Sequence, residues 1–158
     1  MHEAAREFVE RMGLHLEADG MPRSAGRIFG HMMLAAAPCS LDELAEALQV
    51  SKASVSTNAR LLEQIGLLER TTELGDRRDF YRMRPDAWER MLLIARRRWE
   101  AMQGLLAQAE LSLPEGMDCA RSRLCEAARF HDLLMEEADL LLERWRELQA
   151  EDGVAASA

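Results

Sequence analysis

Residues 40–60 read Ser40-Leu-Asp-Glu-Leu-Ala-Glu-Ala-Leu48, then Gln49-Val50, then Ser51-Lys-Ala-Ser-Val-Ser-Thr-Asn-Ala-Arg60. Ser40 followed by Glu43 is a capping box, in which the hydroxyl and the carboxylate satisfy free amides at the start of a helix. Ser51 is suited to cap a second helix, and Gly66 to terminate it. These signals predict two short helices, 41–48 and 51–65, joined by a tight turn. Such a pair is a helix-turn-helix.

The second of these helices has two different faces. Val55, Ala59 and Leu62 recur at helical spacing and predict the face that packs on the domain. The opposite face carries hydrogen-bond donors and no acidic residue, namely Lys52, Ser54, Ser56, Thr57 and Arg60. Serine and threonine are indifferent helix formers, so a merely solvated face is the weaker interpretation. The pattern favours a helix that reads bases in the major groove, with Ser51 and the first turn near a phosphate.

A basic hairpin is predicted after this helix. Residues 67–72 and 79–84 have the pattern of short strands, and 73–78 form the turn between them, which predicts a wing at 73–79. An arginine at such a turn, Arg77 or Arg78, can enter the narrow minor groove of DNA. Asp76 can support it by holding a guanidinium through a bidentate pair. The three residues alone suggest an ordinary polar turn, but after a helix-turn-helix they favour a DNA-binding wing.

The remaining sequence is predicted to be mainly helical. An amphipathic helix within 1–20 precedes the winged helix-turn-helix domain, 21–86, whose first helix is predicted from Pro22, in its first turn, to about Ala37. Two long helices occupy 87–149. Their apolar residues recur in alternating steps of three and four, from Trp88 to Leu113 and from Leu124 through Leu141 to Leu148, which is the pattern of a heptad seam. A second copy of the chain is the natural partner for such seams, because a two-fold dimer matches a two-fold DNA site. The predicted fold is therefore mainly α with a small β-hairpin, flanked by dimerisation helices and followed by a disordered tail, 150–158.

Composition limits the possible functions. The net charge is −8, yet the segment from Ser51 to Arg84 carries +2, which leaves −10 on the rest of the chain. Positive charge is thus concentrated where the motif places DNA, and the acidic remainder discourages indiscriminate binding. No glycine-rich phosphate loop, nucleophile motif or carboxylate cluster is present, so no enzymatic activity and no cofactor are predicted. Without an apolar run long enough to span a bilayer, and without a signal peptide at Met1, we expect a cytoplasmic protein.

Several other residues were considered as sites. The cysteines and histidines have no metal-ligand spacing, so no metal site is predicted. Cys119 and Cys125 lie six residues apart on one helix, which makes redox sensing a minor hypothesis. His131 falls on the last heptad seam, where a packed or register-setting role is favoured over a ligand or sensor. Five aromatic residues suit core or interface packing better than a cage for a cationic effector, namely Phe8, Trp88, Trp99, Phe130 and Trp145. No small-molecule effector is identified.

The motifs resemble those of the MarR-like winged helix-turn-helix regulators. The resemblance rests on the two helices quoted above, on Arg60-Leu-Leu-Glu-Gln-Ile-Gly-Leu67 and on Gly75-Asp-Arg-Arg-Asp79. Phe8-Val-Glu-Arg-Met-Gly13 and Asp19-Gly-Met-Pro-Arg-Ser-Ala-Gly-Arg-Ile28 are similar to the N-terminal segment of the GbsR-type branch. The resemblance covers about residues 4–86, and the C-terminal helices match in character alone.

The resemblance implies a homodimeric repressor with one recognition helix per half-site of a pseudo-palindromic operator. It would place the outward side chains of helix 51–65 in the major groove and Arg77 and Arg78 in the wing, with Asp76 as support. A winged-helix module that binds protein instead of specific DNA is the main alternative, and the acidic total charge keeps it open. A non-specific architectural protein is disfavoured, because such proteins depend on excess positive charge.

Overall fold

The computed structural model describes residues 2–72 and 75–155. Their helices and strands follow in the order α1 (Glu3–Ala18), α2 (Arg23–Leu34), β1 (Cys39–Ser40), α3 (Leu41–Leu48), α4 (Lys52–Gln64), β2 (Leu68–Thr71), β3 (Phe80–Met83), α5 (Ala87–Ser112) and α6 (Asp118–Ala155). The chain divides into two compact units, Met1–Arg90 and Met91–Ala158. The predicted class, mainly α with a small β element, is confirmed.

In the first unit, α1 and α2 pack tightly against one another. Val9 of α1 and Ile28 and Met32 of α2 are almost fully buried. Gly13 and Gly26 are buried where the two helices approach, which allows the two backbones to come close. Pro22 is the N-cap of α2, one residue before the first-turn position that the sequence suggested. The helix ends at Leu34, so the predicted extension to Ala37 is wrong, and Ala35 already has extended backbone.

The helix-turn-helix pair forms as the sequence predicts. Ser40 Oγ accepts a hydrogen bond from the Glu43 amide at 3.3 Å, while Glu43 Oε2 accepts one from the Ser40 amide at 2.7 Å, which completes the capping box of α3. Ser51 is the N-cap of α4, and its side chain accepts a hydrogen bond from the Ser54 amide. Apolar side chains of both helices, with those of α1, α2 and the sheet, form one core, including Val9, Ile28, Leu44, Leu48, Val55, Ala59, Leu62 and Leu68.

The β element is a three-stranded antiparallel sheet with the order β1-β3-β2. The hairpin of β2 and β3 was predicted, and Leu68 pairs with Met83 at its open end. The short strand β1 was not predicted. It runs antiparallel to β3 and pairs Cys39 with Tyr81. Two residues carry no detectable strand periodicity, so only the position of β3 beside them makes this segment a strand.

The second unit contains α6 and most of α5. The guanidinium of Arg96 on α5 donates two hydrogen bonds, of 2.6 and 2.9 Å, to the carboxylate of Asp139 on α6. Arg121 donates to the backbone oxygens of Glu110 and Leu113, which gives carbonyls at the end of α5 the partners that they lack within the helix. Helix α6 continues to Ala155, so the prediction of disorder is wrong for residues 150–155, and residues 156–158 lie outside the described part of the chain.

Candidate nucleic-acid interface

A sharp turn between α3 and α4 sets the direction of the second helix. Gln49, the C-cap of α3, has left-handed backbone angles, with φ at 53° and ψ at 45°. The amide of Val50 then donates a hydrogen bond to the carbonyl of Ala45 at 3.1 Å, closing the end of α3. Asparagine-like polar side chains tolerate this conformation better than branched ones, and here Gln49 Nε2 also bonds the Glu46 carbonyl. The chain thus passes from the end of α3 through Val50 to Ser51, the N-cap of α4.

The two faces of α4 are arranged as predicted. Val55, Ala59 and Leu62 are fully buried against the core. On the opposite side Lys52, Thr57 and Arg60 are exposed, together with the N-cap Ser51. The side chains of Ser54 and Ser56 are half-buried, so they lie nearer the edges of the face than its centre.

Asn58 is a buried polar residue of α4 that sequence reasoning missed. Its side-chain nitrogen donates to the Ser54 carbonyl at 2.8 Å and lies 3.3 Å from Ser54 Oγ. A buried amide has a high cost unless its hydrogen bonds are made, so this contact holds both side chains in place. Asn58 therefore fixes the position of one of the predicted DNA-contacting serines.

Lys52 is engaged in an ion pair. Its Nζ lies 2.8 Å from Oδ1 and 2.9 Å from Oδ2 of Asp42, in the first turn of α3. The two residues are ten positions apart, and no local sequence pattern indicates their contact. The pair joins the beginnings of the two helices of the motif.

In the turn of the hairpin, Asp76 is paired with Arg78. Its carboxylate accepts three hydrogen bonds from Arg78, one from the backbone amide at 2.9 Å and two from Nε and Nη2 at 2.8 and 2.6 Å. The same guanidinium lies over the ring of Phe80, 5.2 Å from its centroid, in a cation–π contact. The guanidinium of Arg78 is thus held by both Asp76 and the ring of Phe80. Glu73 and Leu74 of the predicted turn lie outside the described residues.

These contacts shift the pKa values of the charged groups in the wing. Hydrogen bonds from Arg78 lower the pKa of Asp76, and the same interaction raises the pKa of Arg78. Glu43, whose pKa is lowered by its hydrogen bonds with Ser40, also contributes to the shift in Arg78. Asp76 and Arg78 therefore remain a charged pair across the neutral pH range.

Most of the cations in this region are already paired. Of the seven between Ser51 and Arg84, five contact a carboxylate in the described part of the chain: Lys52 with Asp42, Arg70 with Asp79, Arg78 with Asp76, Arg82 with Glu69, and Arg84 with Glu69 and Asp86. Arg60 and Arg77 have no such contact among the described residues and are exposed. One of these two free guanidinium groups lies on α4 and the other in the wing.

The minor candidate sites have local structural roles. His131 Nδ1 lies 2.8 Å from the Ala127 carbonyl one turn earlier, and its ring meets Phe130 edge-on. A hydrogen bond with the Glu110 side chain and, to a smaller extent, desolvation raise the pKa of the Cys125 thiol, which disfavours the reactive thiolate. The ring of Trp88 packs edge-on against the core residue Phe29, as core packing requires.

The described residues contain no candidate metal site and no candidate membrane span. No group of three or more histidine, cysteine, aspartate and glutamate side chains comes together there in a way that could hold a metal ion. None of the helices described is both long and apolar enough to cross a membrane.

Comparisons with known proteins agree with this geometry. Residues 19–79 match the model described as the MarR family. The HTH-type transcriptional regulator MmpR5 of Mycobacterium tuberculosis (strain ATCC 25618 / H37Rv) is 38% identical over 129 residues, which are 81% of this chain and 76% of that protein. The HTH-type transcriptional repressor GbsR of Bacillus subtilis (strain 168) is 31% identical over 100 residues, 56% of this chain and 55% of that protein.

A solved structure is similar over almost the whole chain. It is a crystal structure of a transcriptional regulator, with a TM-score of 0.85 and 32% identity, covering 91% of this chain and 99% of that one. The likeness to GbsR extends over little more than half of each chain, so it supports the branch less strongly than the family. From its fold, its helix-turn-helix and these relatives, the chain belongs to the MarR family of DNA-binding, winged-helix transcriptional regulators.

Proposed function

We propose that this regulator is a cytoplasmic, homodimeric repressor that binds a pseudo-palindromic operator. Helix α4 enters the major groove and the wing, 73–79, lies at the minor groove. The observation that carries the proposal is the location of unpaired positive charge: among the cations of residues 51–84, Arg60 on α4 and Arg77 in the wing are exposed without an ion pair in the described chain. A free guanidinium reaches DNA without first giving up a carboxylate.

On α4, the residues divide by position into those that read bases and those that contact the backbone. Arg60 is suited to a guanine edge, whose two acceptors match a guanidinium. Thr57, Ser54 and Ser56 supply hydroxyl groups that accept or donate to base edges or phosphates. Ser51 and Lys52 lie at the start of the helix, where free amides and the helix dipole favour a phosphate.

In the wing, Arg77 and Arg78 have different roles. Arg77 is exposed and has no ion pair with any described residue, so we assign it the direct contact in the minor groove. Arg78 is fixed by Asp76 and Phe80, so it contributes a positive charge at a defined place and stiffens the turn. Asp76 acts through Arg78 and is a positioning residue.

Dimerisation is supported by the exposed apolar side chains of the second unit. On α6, Leu133, Leu140, Leu141 and Leu148 are each more than half exposed. Two of them, Leu141 and Leu148, lie on the predicted heptad seam one heptad apart. Long helices with such residues need a further apolar surface, and a second copy provides it with the two-fold symmetry of the operator.

The proposal is tested by fluorescence anisotropy of the purified protein with a duplex from upstream of its own gene and with a scrambled duplex, each at two salt concentrations. We expect tight binding to the upstream duplex that weakens steeply with salt, because phosphate contacts release counterions. A folded dimer that binds neither duplex would overturn the proposal and favour the protein-interaction module. Nothing in the site suggests catalysis, and the role proposed is binding alone.

A further inference from the structure

The ion pair between Asp42 and Lys52 lies where DNA phosphate is expected. Lys52 is the first residue of α4, and Asp42 is in the first turn of α3. The pair is bidentate, with both distances below 3 Å, and both side chains are more than half exposed, at 53% for Asp42 and 60% for Lys52. The carboxylate of Asp42 thus occupies the place beside Lys52 that a phosphate oxygen would take in the proposed complex with DNA.

Asp42 also lies close enough to the wing to act on it. Besides Asp76, the carboxylates of Glu43 and Asp42 contribute to raising the pKa of Arg78. Glu43 is committed to the capping box through its bonds to Ser40. Asp42 makes no hydrogen bond with its side chain other than the one from Lys52, within the residues described. Unlike Glu43, Asp42 is therefore an acidic group of this surface that takes no part in a helix cap and is directed to Lys52.

The effect of Asp42 differs between specific and non-specific DNA. Non-specific binding depends almost entirely on phosphate contacts, whereas binding to an operator also draws on base contacts. A carboxylate that neutralises Lys52 and repels phosphates therefore removes a larger fraction of the binding free energy from non-specific DNA than from the operator. Arg60, the proposed base reader, is not paired with Asp42 and keeps its full contribution.

We propose that Asp42 is a specificity-determining residue, which restrains Lys52 and thereby weakens binding to DNA of arbitrary sequence more than binding to the operator. The proposal rests on the DNA-binding function proposed above. It assigns to an acidic residue on the DNA-facing side a function in discriminating between DNA sequences. It also adds a local restraint on indiscriminate binding to the general one that the net charge of −8 provides.

The test is the Asp42→Asn variant, which keeps the size of the side chain and removes its charge. We expect its affinity for a scrambled duplex to rise at low salt by up to about fivefold per protomer, which corresponds to the upper value of about 1 kcal/mol for one exposed charge pair. The logarithmic salt slope should become steeper by about 0.9 per protomer, since one more phosphate charge is neutralised. Affinity for the operator should rise less, so that the ratio of the two affinities falls.

Two controls separate this mechanism from a general change of charge. Glu46→Gln makes the same change of charge on an exposed residue of α3 whose side chain has no described partner, and we expect it to leave the ratio unchanged. In a Lys52→Gln background, Asp42→Asn should have little effect, because the restrained cation is gone. Circular dichroism of every variant confirms that it is folded.

The outcomes are distinct. If Asp42→Asn changes both affinities by the same factor, or no more than Glu46→Gln does, the proposal is overturned. It is also overturned if Asp42→Asn acts fully without Lys52. A wild-type protein that does not distinguish the operator from the scrambled duplex would instead contradict the proposed function itself.

Discussion

Gly26 of α2 faces Gly13 of α1 so closely that a Cβ on Gly26 would lie 2.8 Å from the Cα of Gly13. The same Cβ would lie 2.6 Å from the backbone oxygen of Met12. Both neighbours are backbone atoms, which cannot move aside as the end of a flexible side chain can. The packing of the two N-terminal helices therefore depends on the absence of a side chain at this position.

We predict that Gly26→Ala destabilises the protein by about 1–3 kcal/mol, because overpacking outweighs the gain of up to about 1 kcal/mol in helix propensity. Gly104→Ala is the matched control, since Gly104 lies in α5 with nothing within 4 Å of its added Cβ. That variant should gain about 0.5–1 kcal/mol. Urea unfolding at one fixed protein concentration measures both, and equal shifts of the same sign would contradict the packing argument.

Arg60→Ala is predicted to cost about 1–3 kcal/mol of binding to the operator if the guanidinium reads a base. Its exposed side chain has no ion pair within the described chain, so the loss is not offset by freeing a carboxylate. Anisotropy titrations with the operator and with single-base variants of it measure the effect. An equal loss on every sequence would show that Arg60 contacts phosphate instead.

For the wing, we expect Arg77→Ala to weaken DNA binding and to reduce the salt slope by about one per protomer. Arg82→Ala provides the comparison, because Arg82 is in the same hairpin but donates a 2.7 Å hydrogen bond to Glu69. A paired cation contributes less net charge to a phosphate contact, so its loss should change binding and salt slope less. The assignment of Arg77 fails if the two variants behave alike.

The loss of stability as the pH falls should depend on Glu43. Its hydrogen bonds with Ser40 lower its pKa below the ordinary value of 4.5. A carboxylate whose pKa is lower in the folded state stabilises the fold fully above the unfolded pKa, and this contribution is lost as the pH falls through the folded pKa. The free energy of unfolding of Glu43→Gln should therefore fall less than that of the wild type between about pH 6 and about pH 3.

The control for this pH dependence is Glu46→Gln on the same helix. The Glu46 side chain makes no hydrogen bond among the described residues, so its variant should follow the wild-type curve. Urea midpoints at several pH values measure the three proteins. Parallel curves for Glu43→Gln and the wild type would mean that the capping box adds nothing that depends on pH.

Dimerisation through α6 predicts that charged residues on the seam dissociate the protein. Leu141 and Leu148 are 55% and 53% exposed, and burying a carboxylate in their place against a partner is costly. The double variant Leu141→Glu/Leu148→Glu should have the mass of one chain by light scattering at micromolar concentration, where the wild type has the mass of two. Leu111→Glu, at an 85% exposed position outside the seam, should remain dimeric. A monomeric wild type would contradict the dimer directly.

Much of the fold follows from local signals in the sequence. The Ser40–Glu43 capping box and the Ser51 cap act over three residues, so they define the starts of α3 and α4 without any tertiary contact. Helical spacing likewise predicted which side of α4 is buried. The end of α2 was misplaced by three residues, since Ala35 to Ala37 are compatible with a helix and only the surrounding fold ends the helix at Leu34.

The helix-turn-helix, the outward face of α4 and the basic hairpin follow from the sequence. Caps, periodicity and turn residues depend on neighbours only a few positions away. The tertiary structure is needed to see that β1 joins the sheet and that Lys52 pairs with Asp42, whereas Arg60 and Arg77 have no ion pair in the part of the chain that the structure describes. Those contacts join residues brought together by folding. Their energies depend on distances of a few ångströms between charges, and spacing along the chain does not encode those distances.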